Sequence, residues 1–141
     1  SGYPEKHMES PSLESDIHFL KEKIKLGAEY IITQMFFDNK KFFEFQDICK
    51  KQGIRVPIIP GLKPIATKKQ LNVLPHRFHC DLPQELIKQV VKCKDNSHVK
   101  EVGIEWCIQQ SKELKKAGVP FLHYYSMGKA FSIKRIASSI F

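Results

Sequence analysis

One polar side chain, Gln34, interrupts a stretch of β-branched and aromatic residues that runs from Tyr30 to Phe37. Such a stretch, without polar alternation, is typical of a strand buried on both faces of a parallel sheet. A carboxamide at the end of that strand must be hydrogen-bonded, and it can both donate to and accept from a ligand. Two alternatives remain open: Gln34 bonds neighbouring backbone, or it binds a ligand at the carboxyl edge of the sheet.

The cysteines have no spacing suited to metal or disulfide-exchange chemistry. They are widely separated, and neither a CxxC pair nor a paired-histidine motif occurs in the chain. Zinc sites usually carry such paired ligands. We therefore predict no metal site and interpret the cysteines as reduced, mostly buried thiols of a cytoplasmic protein. They are Cys49, Cys80, Cys93 and Cys107.

The chain has 141 residues and a formal net charge of +8, with many lysines in short clusters. A basic surface can attract nucleic acid, but no recognition motif accompanies the charge. An anionic small ligand, such as a dinucleotide or a polycarboxylate, explains it equally well. No stretch approaches the length of a membrane span, and no signal peptide is visible. We expect a small-molecule ligand and neither a nucleic-acid nor a membrane partner.

Helix and strand signals alternate along the chain. Capping residues, glycines and apolar periodicity mark their ends. Residues 1–12 are predicted to form a loop, and residues 75–82 are predicted to be irregular. Helices are predicted from Ser12 or Ser15 to Gly27, from Asn39 to Gly53, over 67–71, from Pro83 to Cys93, from Asn96 or Ser97 to Ala117, and over 129–139; strands are predicted over 30–35, 55–61 and 119–125.

Connections between the predicted strands are far too long for hairpins, so the strands must be parallel and joined by right-handed crossovers. The predicted class is α/β. A doubly wound sheet would need helices on both faces, and a closed barrel would need more strands than this chain contains. We interpret residues 1–141 as a single partial domain whose missing part lies N-terminal.

Several short motifs, in this order, resemble one family over essentially the whole chain. They are Gly2-Tyr3-Pro4 with His7, Leu13-Glu14-Ser15-Asp16 with Leu20-Lys21-Glu22-Lys23, IITQMFFD, VPIIPGLKPI, the KDN of 94–96, and LHYYSMGK. The family is that of the flavin-dependent methylenetetrahydrofolate reductases, whose catalytic domain is a TIM (β/α)8 barrel. SMGK and GLKPIATKKQL look most like bacterial members of the Bacteroidetes type. The resemblance implies the C-terminal half of the barrel, from the end of strand five through strands six, seven and eight.

The resemblance implies two groups of binding residues. Tyr3 and His7 match a loop that lies against the FAD cofactor. Asp16 and Lys23 match positions that hold its adenosine and pyrophosphate, roles that suit a carboxylate near ribose hydroxyls and a cation near phosphates. From the residues alone, Asp16 and Lys23 would be ordinary exposed helix residues.

On the substrate side, Gln34 matches a glutamine that hydrogen-bonds the pterin ring of folate, and Gln70 matches a second substrate-binding glutamine. From the residues alone, Gln70 would be a solvated helix residue. Leu74 stands where some members place a stacking Phe. Lys129 stands where many place an Arg, so that charge is kept but bidentate geometry is lost.

The implied reaction is a pair of hydride transfers, from NADH or NADPH to FAD and then to methylenetetrahydrofolate, giving 5-methyltetrahydrofolate. The family's proton-donating Glu and flavin-tuning Asp belong to the first and fourth strands. We therefore predict no catalytic residue in this chain, and little or no activity from it alone. One alternative is a non-catalytic half-barrel that self-associates or binds an anionic ligand. A phosphate-binding barrel of another kind is disfavoured because its Gly-rich loop is absent.

Overall fold

A computed structural model describes all 141 residues. Helices and short strands alternate in nearly the predicted order. In chain order the elements are α1 (Leu13–Lys25), β1 (Ile31–Ile32), α2 (Asn39–Lys51), β2 (Ile58–Ile59), β3 (Gly61–Leu62), α3 (Gln70–Phe78), α4 (Gln84–Val91), α5 (Asn96–Lys116), β4 (His123–Tyr124) and α6 (Ala130–Ile140).

The strands form one row of parallel pairs, as the long connections predicted. β1 pairs with β2, β3 pairs with β4, and an isolated parallel bridge joins Gly2 to Thr33 beside β1. The predicted strand over 55–61 divides into β2 and β3 at Pro60, which has no N–H to donate. Its carbonyl instead accepts from His123 N at 3.0 Å, so the pairing passes from β1 on one side to β4 on the other.

Two helix caps differ from the prediction. Ser12 caps α1 as expected, but Asp38 and Asp95, rather than Asn39 and Asn96 or Ser97, cap α2 and α5. Both Asp residues have extended backbone and accept a hydrogen bond from an amide of the first turn, as an N-cap requires. The side chain of Asn39 is buried instead and donates to the carbonyl of Gln110 at 3.1 Å.

Helix α3 begins later than the predicted short helix and continues through residues expected to be irregular. Pro75 lies inside it and removes one intrahelical donor. Leu74, only 2% exposed, packs into the apolar core beside it, together with the half-buried Leu71. We attribute the longer helix to this packing, which offsets the lost bond. It ends at His79, whose backbone is left-handed with φ of 50°.

The core lies between the strand row and the helices. All four cysteines are buried in it as free thiols, as predicted. Gly103 of α5 lies directly against the backbone of Ile65, so the longest helix packs closely on the loop that follows β3. The chain contains no helix both long and apolar enough to cross a membrane. No group of three or more potential metal ligands occurs.

Candidate functional site

The carboxyl ends of the strands are tied together by hydrogen bonds between distant parts of the chain. Thr33, fully buried after β1, accepts a bond from the amide of Gly61 at 2.9 Å through its hydroxyl. The hydroxyl of Tyr125, just after β4, donates to the Thr33 carbonyl at 2.8 Å. A Cβ on Gly61 would collide with that carbonyl and with the Tyr125 ring, so this close approach requires glycine. Tyr125 also lines a cavity at this edge of the strands.

This strand-end cavity has a volume of about 450 Å³ and lies between the ends of β1, β3 and β4, the length of α3 and the first turn of α6. That volume suits a small organic ligand. All four residues predicted to bind substrate line it. They are Gln34, Gln70, Leu74 and Lys129.

The side-chain oxygens of the two glutamines accept hydrogen bonds from backbone amides, whereas their side-chain nitrogens make no hydrogen bond within the chain. Gln34 Oε1 accepts from the Met35 amide at 3.1 Å, so the expectation of a bond to neighbouring backbone holds for this atom. Gln70 Oε1 accepts from the amides of Ala66 and Thr67 at 2.7 and 3.2 Å. Gln70 is therefore a half-buried residue that shapes the loop after β3, and not a solvated helix residue. Each carboxamide NH2 remains available to a ligand acceptor.

Leu74 and Lys129 form different parts of the cavity wall. Leu74 is buried and offers an apolar surface without an aromatic ring. Lys129 is exposed at the N-cap of α6. Sequence reasoning missed two further cations of this wall, Lys63 and Arg77. Burial, and then the nearby charge of Lys129, lower the pKa of Lys63 below its ordinary value.

A second cavity of about 240 Å³ lies between the N-terminal loop and α1, and we call it the loop cavity. All four residues predicted to bind FAD line it. Asp16 is buried, so it is not an ordinary exposed helix residue, and its Oδ2 accepts from the His7 amide at 2.8 Å. The rings of Tyr3 and His7 meet edge to face, with centroids 4.5 Å apart. Lys23 is exposed at the cavity edge, as the residues alone suggested.

Glu5, which sequence reasoning missed, lies between these two cavities. It lines a small void of about 10 Å³ together with Tyr3 and Gln34, and roughly one water would fill it. Its Oε1 accepts from the Asp81 amide at 3.1 Å, which joins the N-terminal loop to the segment after α3. Burial raises the pKa of Glu5 to about 7, outweighing that hydrogen bond. No periodic pattern in the sequence distinguishes a loop glutamate of this kind.

A third cavity, of about 530 Å³, lies at the opposite ends of the strands and includes none of the predicted residues. Residues preceding β2 and β4, among them Arg55, Pro57 and Phe121, line it. In parallel α/β proteins the amino-terminal ends of the strands serve stability rather than ligand binding. The strand-end and loop cavities therefore remain the candidate site.

Parallel strands, helical crossovers and a cavity at the carboxyl ends of the strands define an α/β protein with a candidate ligand site at that edge. A solved structure of a protein from Clostridium thermocellum, described as binding two copies of 5-methyl-5,6,7,8-tetrahydrofolic acid, aligns with a TM-score of 0.65 and 22% identity. The alignment covers 99% of this chain and 50% of that one. At this identity the likeness concerns the fold alone.

The sequence profile of the methylenetetrahydrofolate reductases matches residues 1–140. The chain belongs to this family of TIM-barrel enzymes. It is 34% identical, over 99% of its length, to "Probable methylenetetrahydrofolate reductase (NADPH)" of Caenorhabditis elegans, and 32% identical, over 92%, to "5,10-methylenetetrahydrofolate reductase" of Escherichia coli (strain K12). It spans only 21% and 44% of these two relatives. The predicted family is confirmed, whereas the bacterial subgroup and the half of the barrel stay predictions.

Proposed function

We propose that this chain is the folate- and flavin-binding C-terminal half of a methylenetetrahydrofolate reductase barrel. The reaction is reduction of 5,10-methylenetetrahydrofolate to 5-methyltetrahydrofolate, with NADH or NADPH as electron donor and FAD as cofactor. One observation carries the proposal: the residues that the family resemblance implies line two cavities, each as a complete group.

In the strand-end cavity, the free amide nitrogens of Gln34 and Gln70 would donate to the folate. Each glutamine is held by a backbone bond to its oxygen, so little side-chain entropy would be lost on binding. Leu74 would provide an apolar wall for the ligand ring, and Lys129 a cation for an anionic group. These groups bind and orient the substrate.

The residues of the loop cavity fit FAD by their chemistry. Asp16 has one oxygen occupied by the His7 amide, which leaves Oδ1 for a ribose hydroxyl. Lys23 makes no ion pair within the chain and can meet a pyrophosphate. Tyr3 and His7 present ring edges and faces to the same space. Bound FAD would supply the hydride chemistry, and the residues of the chain would hold it in place.

We assign no proton donor to this chain, and we expect the chain alone to be inactive or nearly so. The outer edge of β4 has no strand partner. An unpaired edge favours association with another strand, either from the remainder of a barrel or from a second copy. That edge also supports the alternative of a non-catalytic half-barrel that self-associates or binds an anionic ligand.

Titration of the purified chain with FAD, followed by flavin fluorescence with the solution mass recorded alongside, tests the proposal. We expect saturable binding that is lost in Asp16→Ala and Lys23→Ala and kept in the exposed control Lys112→Ala. A parallel titration with 5-methyltetrahydrofolate should weaken in Gln34→Ala and Gln70→Ala but not in the exposed control Gln89→Ala. A folded chain, at any oligomeric state, that binds neither ligand would contradict the proposal.

A further inference from the structure

Three cations, Lys63, Arg77 and Lys129, line the strand-end cavity, and we call them the cationic rim. No Asp or Glu lines that cavity. None of the three forms an ion pair with the chain, whereas Lys25 and Arg135 lie 2.7 and 2.6 Å from their carboxylate partners. The protein therefore collects positive charge at this cavity and leaves it uncompensated.

The rim charges stand on three segments that are held in place separately. Lys63 lies between the buried Leu62 and Pro64, directly after β3. Arg77 is in the last turn of α3. Lys129 follows a tight turn in which its amide donates to the Ser126 carbonyl at 2.9 Å. The backbone therefore places the three residues around one cavity.

Holding like charges together costs free energy that an anion would offset. Lys63 is half-buried, and burial together with the charge of Lys129 lowers its pKa, which means that its charged form is less favoured than that of a free lysine. At Met127, two residues before Lys129, the backbone is left-handed with φ of 50°, a strained conformation for a residue with a side chain. Such strain is common where the surrounding structure presents groups to a ligand.

We propose that the cationic rim is a subsite for the multiply charged end of the bound small molecule, a group with two or more carboxylates or phosphates. The inference depends on the proposed function only for the identity of the remaining, uncharged part of that ligand. Two sources fit the same chemistry: the glutamyl carboxylates of a tetrahydrofolate, and the phosphates of a nicotinamide dinucleotide. A rim of separate cations suits clustered charges better than a single one because each anionic group can meet its own partner.

Calorimetric titration with two matched ligand pairs distinguishes the sources. The first pair is 5-methyltetrahydrofolate and 5-methyltetrahydropteroate, which lacks the glutamate; the second is NADH and reduced nicotinamide riboside, which lacks the pyrophosphate and the adenosine. For the true source we expect the more anionic member to bind about tenfold more tightly, a factor typical of charge-assisted hydrogen bonds. In Lys63→Met and Arg77→Met that preference should fall toward equality.

Lys112→Met serves as the matched control because it removes one exposed lysine charge from α5, outside the cavity. It should keep the full preference, and added salt should weaken the preference in the wild type. Unchanged preferences in both rim variants would overturn the inference while leaving folate binding intact. If the wild type binds none of the four ligands, titration with inorganic pyrophosphate tests the cationic rim by itself. Binding that is lost in Lys63→Met but kept in Lys112→Met would support the rim without the proposed function, and its absence would overturn both.

Discussion

Around the strand-end cavity the backbone is fixed by bonds between residues far apart in the chain, whereas around the loop cavity it is held largely by local bonds. Tyr125 and Thr33 are separated by 92 positions, and Gly61 and Thr33 by 28. The bond between Asp16 and the His7 amide spans 9 positions. Long-range bonds reach this loop at two points: Gly2 exchanges backbone bonds with Ile32 and Gln34, and Glu5 accepts from Asp81 across 76 positions.

This difference predicts different behaviour toward ligands. Long-range bonds among buried groups break only when much of the domain opens, while a loop held by a few half-exposed bonds can open by itself. We expect the strand-end cavity to be largely preformed, and the loop cavity to become ordered as its ligand binds. A ligand of the loop cavity must therefore offset that ordering from its own binding free energy.

Gly103→Ala should have the largest effect and should act on the strand-end side. A Cβ at this position would strike the backbone of Ile65, at the base of the loop that Gln70 holds. Because backbone cannot turn aside as a side chain can, we expect about 3 kcal/mol less stability by urea denaturation. Lys112→Ala, on the exposed face of the same helix, should change stability by less than about 0.5 kcal/mol. Equal urea midpoints for the two variants would show that α5 does not pack closely against this loop.

Glu5 lies at the junction between the two cavities, and Glu5→Gln should change how the stability of the protein depends on pH. The folded-state pKa of about 7 lies above the ordinary 4.5, so the contribution of Glu5 is fully present below pH 4.5 and is lost as the pH rises through 7. After allowance for screening at this half-buried site, we expect the wild type to lose about 1–2 kcal/mol relative to Glu5→Gln between pH 4.5 and 8. Glu9→Gln, an exposed change in the same loop, should keep the wild-type profile. Parallel profiles for wild type and Glu5→Gln would mean that Glu5 ionises freely.

Tyr125→Phe probes the long-range bonds directly. The variant leaves the buried Thr33 carbonyl without the hydroxyl donor, which should cost about 1 kcal/mol. It should also weaken the proposed binding of 5-methyltetrahydrofolate, because Tyr125 lines the cavity. Tyr124→Phe is the matched control: its hydroxyl bonds Ser111, which still donates to the Cys107 carbonyl, and it does not line the cavity. Weaker binding in both variants would indicate a general loss of structure.

Much of this arrangement could be predicted from sequence, for identifiable reasons. The uninterrupted apolar stretch around Ile31, and the long connections, required parallel buried strands. Motifs shared with a family carried the two groups of site residues, although Gln34 alone left its partner undecided. The apolar stretch, the connection lengths and the motifs are each contained in the order of residues along the chain, so they can be recognised without the structure.

The missed features all depend on what lies opposite a residue in space. Asp38 and Asp95 became caps because their backbones are extended, while Asn39 found a partner 71 positions away at Gln110. From the sequence Glu5 and Lys63 look like ordinary loop residues, but burial raises the pKa of Glu5 and lowers that of Lys63. No pattern of spacing within one segment reports such contacts.

Asp16→Ala should have the smallest effect on overall stability and the most localised one. Removing Oδ2 leaves the His7 amide without its acceptor, and because this amide is only half-buried, water can replace much of the bond. We expect a loss of no more than about 1 kcal/mol in the free energy of unfolding. Hydrogen exchange should nevertheless accelerate at the amides of Lys6, His7 and Ser10, with no change at Thr33 or Tyr125. The exposed control Asp47→Ala should leave both groups of amides unchanged. Acceleration throughout the strand row would mean that the two cavities open together, and the distinction between a preformed cavity and one ordered by its ligand would then fail.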